Sequence, residues 1–224
     1  MMRAEATEPV RRIISVNVGK PITVDYQGKP LVTGIHKQPV EGPVFVGCTQ
    51  MDGDGQADLK NHGGPDKAIC VYPFEHYAYW EQQFGKKLDY AAFGENLTVM
   101  GFLENEVNIG DVYEIGEVVV QVSQPRFPCF KISSKHGIKE FPARVLDTGY
   151  SGFYLRVLQV GSLTGTSQVI KRESHPMQVS VASVLRQMAL GRSQADPIEL
   201  RRMLELDALA SSVKDNFQAW LNEV

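Results

Sequence analysis

Cysteine is scarce in this chain: Cys48, Cys70 and Cys129 are the only three among 224 residues. Neither their number nor their spacing makes a disulfide framework or a zinc site. Positive charge is not in excess either, since the formal net charge is −3. That argues against the strongly basic face on which general nucleic-acid binding depends, and leaves room for a local basic pocket. No apolar run is long enough to span a bilayer, and residues 1–10, which carry Glu5 and Glu8, lack the apolar stretch of a signal peptide. The expectation is a cytoplasmic protein without a membrane partner. A flavin, haem or iron–sulfur motif is also missing, so any reducing equivalents must come from another protein.

What is present is the composition of an ordinary globular protein, 43% hydrophobic and 22% charged. The length suffices for one large core, or for a main domain with a small appendage. Between Arg11 and Gly47, glycines and prolines punctuate short β-prone runs at 13–18, 22–26, 31–35 and 44–46, the pattern of antiparallel strands. Two further runs, 111–115 and 118–122, flank Gly116-Glu117 and read as a hairpin. Residues 152–160 read as a long strand with Arg156 available to a site, and 168–170 as a last short one. Pro73 is placed to open a helix closed by Gly85, with Tyr77, Trp80 and Phe84 at helical spacing as a packing stripe. Cys70, within an apolar run, reads as core.

Residues 51–67 are polar, glycine-rich and aperiodic, hence a long loop of the kind that often carries function. Asp54 and Asp58 within it do not match a calcium-loop pattern and read as structural. The run His62-Gly63-Gly64-Pro65-Asp66-Lys67 has two readings. Paired glycines let backbone amides face an anion, with His62 and Lys67 adding charge, or the run is a solvated turn.

The stretch from Ser123 to Lys131 sets Cys129 behind Pro125 and Pro128, directly after an apolar strand. The prolines fix φ and remove amide donors, so the strand ends in a rigid loop. Arg126 and Lys131 flank the cysteine, and nearby cations favour the thiolate that attacks electrophiles or ligates metals. Residue chemistry leaves three readings open: nucleophile, metal ligand or core filler.

After His175-Pro176 the composition changes. Ser180 caps a first helix closed by Gly191; Asp196, Pro197 and Glu199 open a second; Val213, Phe217, Trp220, Leu221 and Val224 line a third. The expected fold is therefore mainly β over residues 1–174, with a small three-helix domain over 175–224.

The ordered set His62-Gly63-Gly64-Pro65-Asp66-Lys67, then Gly94-Glu95-Asn96-Leu97, then Gln124 to Lys131 resembles the MOSC-domain (molybdenum cofactor sulfurase C-terminal) family, and within it the bacterial YiiM-like subgroup. The resemblance covers nearly the whole chain. It implies a MOSC-type β-barrel with a few peripheral helices followed by the three-helix domain. It also implies that the barrel binds the molybdenum cofactor, molybdopterin, with Cys129 as catalytic residue and metal ligand. Asn96 is then a candidate for hydrogen bonding at the cofactor. By residue chemistry Arg126, Lys131 and Arg156 are candidates to neutralise its phosphate, and His62, Gly63, Gly64 and Lys67 to cradle an anion. The implied activity is reduction of small N-hydroxylated compounds, such as hydroxylaminopurines and amidoximes, with electrons from an external reductase. A homodimer is compatible with the sequence. The alternative is a non-catalytic cofactor carrier, or a sulfur-transfer module bearing a persulfide on Cys129.

Overall fold

The computed structural model describes residues 10–222. The N-terminal half builds β1 (Arg12–Val18), β2 (Ile22–Tyr26), β3 (Lys29–Thr33), β4 (Gln38–Pro39), β5 (Val44–Val46) and β6 (Ile69–Pro73), and the rest supplies β7 (Leu97–Met100), β8 (Val112–Ile115), β9 (Val118–Pro125), β10 (Phe153–Gln159), β11 (Gly161–Leu163) and β12 (Val169–Glu173). Eight strands form one sheet in the order β12-β8-β9-β10-β6-β7-β1-β4, curled into a half-barrel. Every adjacent pair is antiparallel except β6 and β7. Register shifts in β1–β7, β9–β10 and β8–β12 mark bulges, which bend strands and help the sheet curl. β2 and β3 pair with each other as a separate ribbon, whose Tyr26 ring lies 6.2 Å from that of Phe130.

Strand β6 shows why its sequence is apolar throughout: both faces are covered. Ile69 and Val71 join the main core with Leu97, Val122, Phe153 and Leu155, while Tyr72 joins a second cluster with Trp80, Phe93 and Phe141. Tyr72 stacks on Phe93 at 3.8 Å, and its hydroxyl accepts from Trp80 Nε1 (2.7 Å) and donates to the Tyr150 carbonyl (3.0 Å). The expected aromatic stripe is therefore core.

Helices α1 (Leu59–His62), α2 (Tyr77–Phe84), α3 (Lys131–His136) and α4 (Phe141–Thr148) lie in the β-rich part. Pro73 ends β6 in extended geometry, paired with Val99, and a 3-10 turn (Phe74–His76) precedes α2, so the helix starts later than the proline signal suggests. Region 133–147, expected to be irregular or briefly helical, forms α3 and α4, stopped by left-handed Gly137 and Gly149.

The three expected C-terminal helices are α5 (Val181–Leu190), α6 (Pro197–Leu204) and α7 (Ser211–Asn222); Val224 lies outside the described residues. Val184, Leu200, Met203, Val213 and Phe217 pack into the same core as the sheet, so the core continues across the strand-to-helix change near residue 175. Ser180 Oγ accepts from Ser183 N–H (3.1 Å) at the start of α5. Ser180→Ala should cost about 1 kcal/mol, read as a lower urea midpoint with unchanged slope.

Candidate functional site

The period-2 alternation that buries Ile69, Val71, Phe153 and Leu155 sends Cys70 and Tyr154 to the opposite face, where they stand directly paired across β6 and β10. They help line an open cleft, whose empty space, open solvent included, is about 610 Å³. Strand β9 ends at Pro125, and its continuation brings Arg126, Phe127, Cys129 and Lys131 into the lining. The Arg126 N–H donates to Gly152 O (3.0 Å), tying this loop to the start of β10. Ile132 N–H donates to Cys129 O (3.1 Å), turning the chain into α3. His62 and Lys67 complete one side; Thr33, Gly34, Ile35, Gly55, Gly94 and Asn96 lie among the remainder.

The charge in the cleft is positive. Burial and the nearby Lys131 and Arg126 push the His62 imidazole down to about 4, with Lys67 adding to the effect and Asp58 opposing it. Burial lowers Lys67, against Asp66 and Asp58. For Arg126 burial works against the charge, yet Cys70, Tyr154, Cys129 and Glu95 outweigh it and raise the guanidinium, whose Nη2 donates to Phe93 O. The two thiols differ sharply. Burial pushes Cys70 up to about 11 and keeps it protonated, whereas Cys129 is partly exposed. Tyr154 is raised by burial first and then by Cys70, against the nearby Arg126, so its phenol keeps its proton.

Beneath the cleft lies a network that residue spacing does not reveal. Asp54, fully buried, forms an ion pair with buried Lys37 and accepts from Gly19 N–H (3.1 Å) and Asn96 Nδ2 (2.9 Å). Asn96 Oδ1 accepts from Cys70 N–H (3.0 Å), and Nδ2 also reaches Asn17 O (3.3 Å). The Asn96 amide thus fastens β6, β1 and the 51–57 segment together while lining the cleft. Asp54 is structural, as its sequence context suggests.

Of the residues singled out in the sequence, Cys129, Asn96, Arg126, Lys131, His62 and Lys67 share this one cleft. Gly63 and Gly64 stand behind the lining and shape the turn. The Gly63 amide is given to Leu59 O (3.2 Å), a Cβ there would sit 2.9 Å from that same oxygen, and Gly64 has φ +97°. Arg156 lies outside the lining and pairs with Asp66 (Nη2 to Oδ1, 2.7 Å). Lys37, Cys70, Phe127 and Tyr154 line the cleft without having been picked out as site residues. The one available signal for Tyr154 was strand alternation, which sets it opposite Phe153 and Leu155.

The family model described as the MOSC domain matches residues 58–170, from the loop before His62 through Cys129 to β12. The chain belongs to the MOSC domain family. Its fold is similar to the crystal structure of YiiM from Geobacillus stearothermophilus, with a TM-score of 0.80 and 37% identity over 94% of this chain and 99% of that one. It is 55% identical over 152 residues to the uncharacterized protein YflK of Bacillus subtilis, covering 68% of this chain and 69% of that protein. It is also 36% identical over 140 residues to a Gibberella moniliformis protein named a reductase, covering 61% of this chain and 25% of that protein. This MOSC chain has, among the described residues, no helix long and apolar enough to cross a membrane.

Proposed function

We propose that the cleft binds a molybdenum cofactor, with Cys129 as the protein's ligand to the metal, and that the chain reduces N-hydroxylated compounds to amines or amidines with electrons from an external reductase. The observation that carries this reading is the gathering of one accessible thiol with Arg126, Lys131, Lys67 and His62 in a single cleft. One thiolate is one ligand. Among the described residues no group of three or more His, Cys, Asp or Glu side chains could hold a metal ion. Cys129 therefore suits a metal that brings its other ligands with it, as a dithiolene cofactor does, and a soft thiolate suits a soft redox metal. The cationic side suits the cofactor's phosphate. The relative named a reductase supports the class of reaction.

When bound, the cofactor supplies the two-electron chemistry by which an N–OH group, with two protons, becomes N–H and water. The chain's own work is placement. Cys129 Sγ holds the metal in a loop stiffened by Pro125 and Pro128. Arg126, anchored on Phe93 O, keeps its charge beside Cys129, and the protonated Tyr154 phenol lines the same cleft, where its O–H can be offered to the substrate. Phe127 walls the cleft against water, and buried Cys70 remains a spectator thiol.

The test uses protein purified from a host that makes the cofactor. Molybdenum and pterin should co-purify near one per chain, and a reduced artificial donor should drive amine formation from an N-hydroxylated purine. Protein that carries neither metal nor pterin would sink the cofactor reading. Loaded protein without turnover would leave a carrier in place of an enzyme.

A further inference from the structure

We propose that Asp66 is the positioning residue through which the C-terminal helices set the cationic side of the cleft. Asp66 sits in the middle of the 3-10 turn Pro65–Lys67, and its carboxylate is held from two directions. Oδ1 accepts from Arg156 of β10 (Nε 3.0 Å, Nη2 2.7 Å). Oδ2 accepts from the backbone N–H of Ser211 (3.2 Å), the first residue of α7. Its carbonyl takes a third contact, from Ser123 Oγ at 2.6 Å, and the Ser123 carbonyl in turn accepts from Ala210 N–H (3.0 Å) just before α7.

The geometry passes this restraint to the cleft over a very short distance. Lys67 follows Asp66 directly, and its N–H closes the turn on Gly64 O (3.0 Å). His62 precedes the turn by two glycines. A carboxylate at the N-terminus of α7 also meets the positive end of that helix, so the contact favours both partners. The glycines that make the loop adjustable leave it without side chains to fix it, and Asp66 supplies the fixed point. The helices thereby acquire a part in the site although none of their side chains lines it.

The cofactor half of this inference rests on the reading that Lys67, with the His62 imidazole beside it, helps hold an anionic cofactor; the positioning half does not. Two variants test it. Asp66→Asn removes the charge and one acceptor. Ser211→Pro deletes the single N–H given to Asp66 at the first helical position, where proline is well accommodated. The first readout is an NMR titration of His62 in cofactor-free full-length protein, assigned by comparison with His62→Gln. The His62 titration should move up from the parent's in both variants as the imidazole gains water, burial being the largest cause that holds it low. The second is retention of molybdenum and pterin through a salt wash, expected to fall about tenfold, the effect of one charge-assisted hydrogen bond. Thermal melting checks that Ser211→Pro remains folded if Asp66→Asn does not. A His62 that titrates in the folded Ser211→Pro protein where it does in the parent overturns the positioning role. A raised His62 with cofactor retention unchanged keeps the positioning and overturns the cofactor role assigned to this side of the cleft.

Discussion

Cys129→Ala is expected to lower reduction of an N-hydroxylated substrate by at least about 100-fold, since even residues behind a metal ligand cost about 10- to 100-fold when replaced. The fold should tolerate the change. Cys129 is partly exposed in the cleft and lies outside both apolar clusters, so losing its sulfur opens no core cavity. Pterin should still be found in the purified variant, because Arg126, Lys131 and Lys67 remain, while the metal's absorption spectrum should change with the loss of a sulfur donor. Cys129→Ser should shift that spectrum too, with an oxygen in place of the thiolate. Cys70→Ser offers the contrast: a buried thiol held protonated should contribute little to turnover. Full activity in Cys129→Ala, measured per bound metal, would remove the ligand role.

Asp54→Ala should destabilise the chain by about 3–5 kcal/mol, the usual cost of leaving one charge of a buried pair uncompensated. Lys37, itself buried, would lose its counter-ion, and Asn96 and Gly19 would lose their acceptor together. The effect should appear as a large drop in the urea midpoint. Replacing the whole pair, as in Asp54→Leu with Lys37→Met, should recover a good part of that loss, because the penalty lies in the orphaned charge more than in the absent attraction. If the single variant proves as stable as the parent, the ion pair is not what braces the floor of the cleft.

The comparison between sequence and structure divides by the range of the interactions involved. Local signals were legible: the hairpin at Gly116-Glu117 and the caps at Ser180 and Asp196 appear where spacing places them, while the strand before the Cys129 loop runs on through Pro125. The ordered motifs brought six of the chosen site residues into one cleft. Features set by partners far along the chain were not. Lys37 and Asp54 are 17 residues apart with no pattern between them, and only the fold shows that both are buried. Arg156 shares a face of β10 with Tyr154, as alternation requires, but it sits one strand repeat further along and is met by Asp66 before it reaches the cleft. The glycines at 63 and 64 were readable as an anion cradle or as a solvated turn, and taken alone the motif favoured the turn. The turn explains their geometry, with the Gly63 amide already spent on Leu59.

Because β6 and β7 run parallel, they cannot close as a hairpin, and residues 74–96 must fold back before the pair can form. The β8–β9 hairpin needs no such journey. Pairing Cys70 with Tyr154 joins positions still more distant in sequence. Loop closure is costly before distant contacts repay it, so the ribbon around Gly116 is expected to form early in folding and the cleft late. On that order the cleft is completed in the last stages of the chain's own assembly, and a partly folded molecule would have a cysteine loop but no pocket around it.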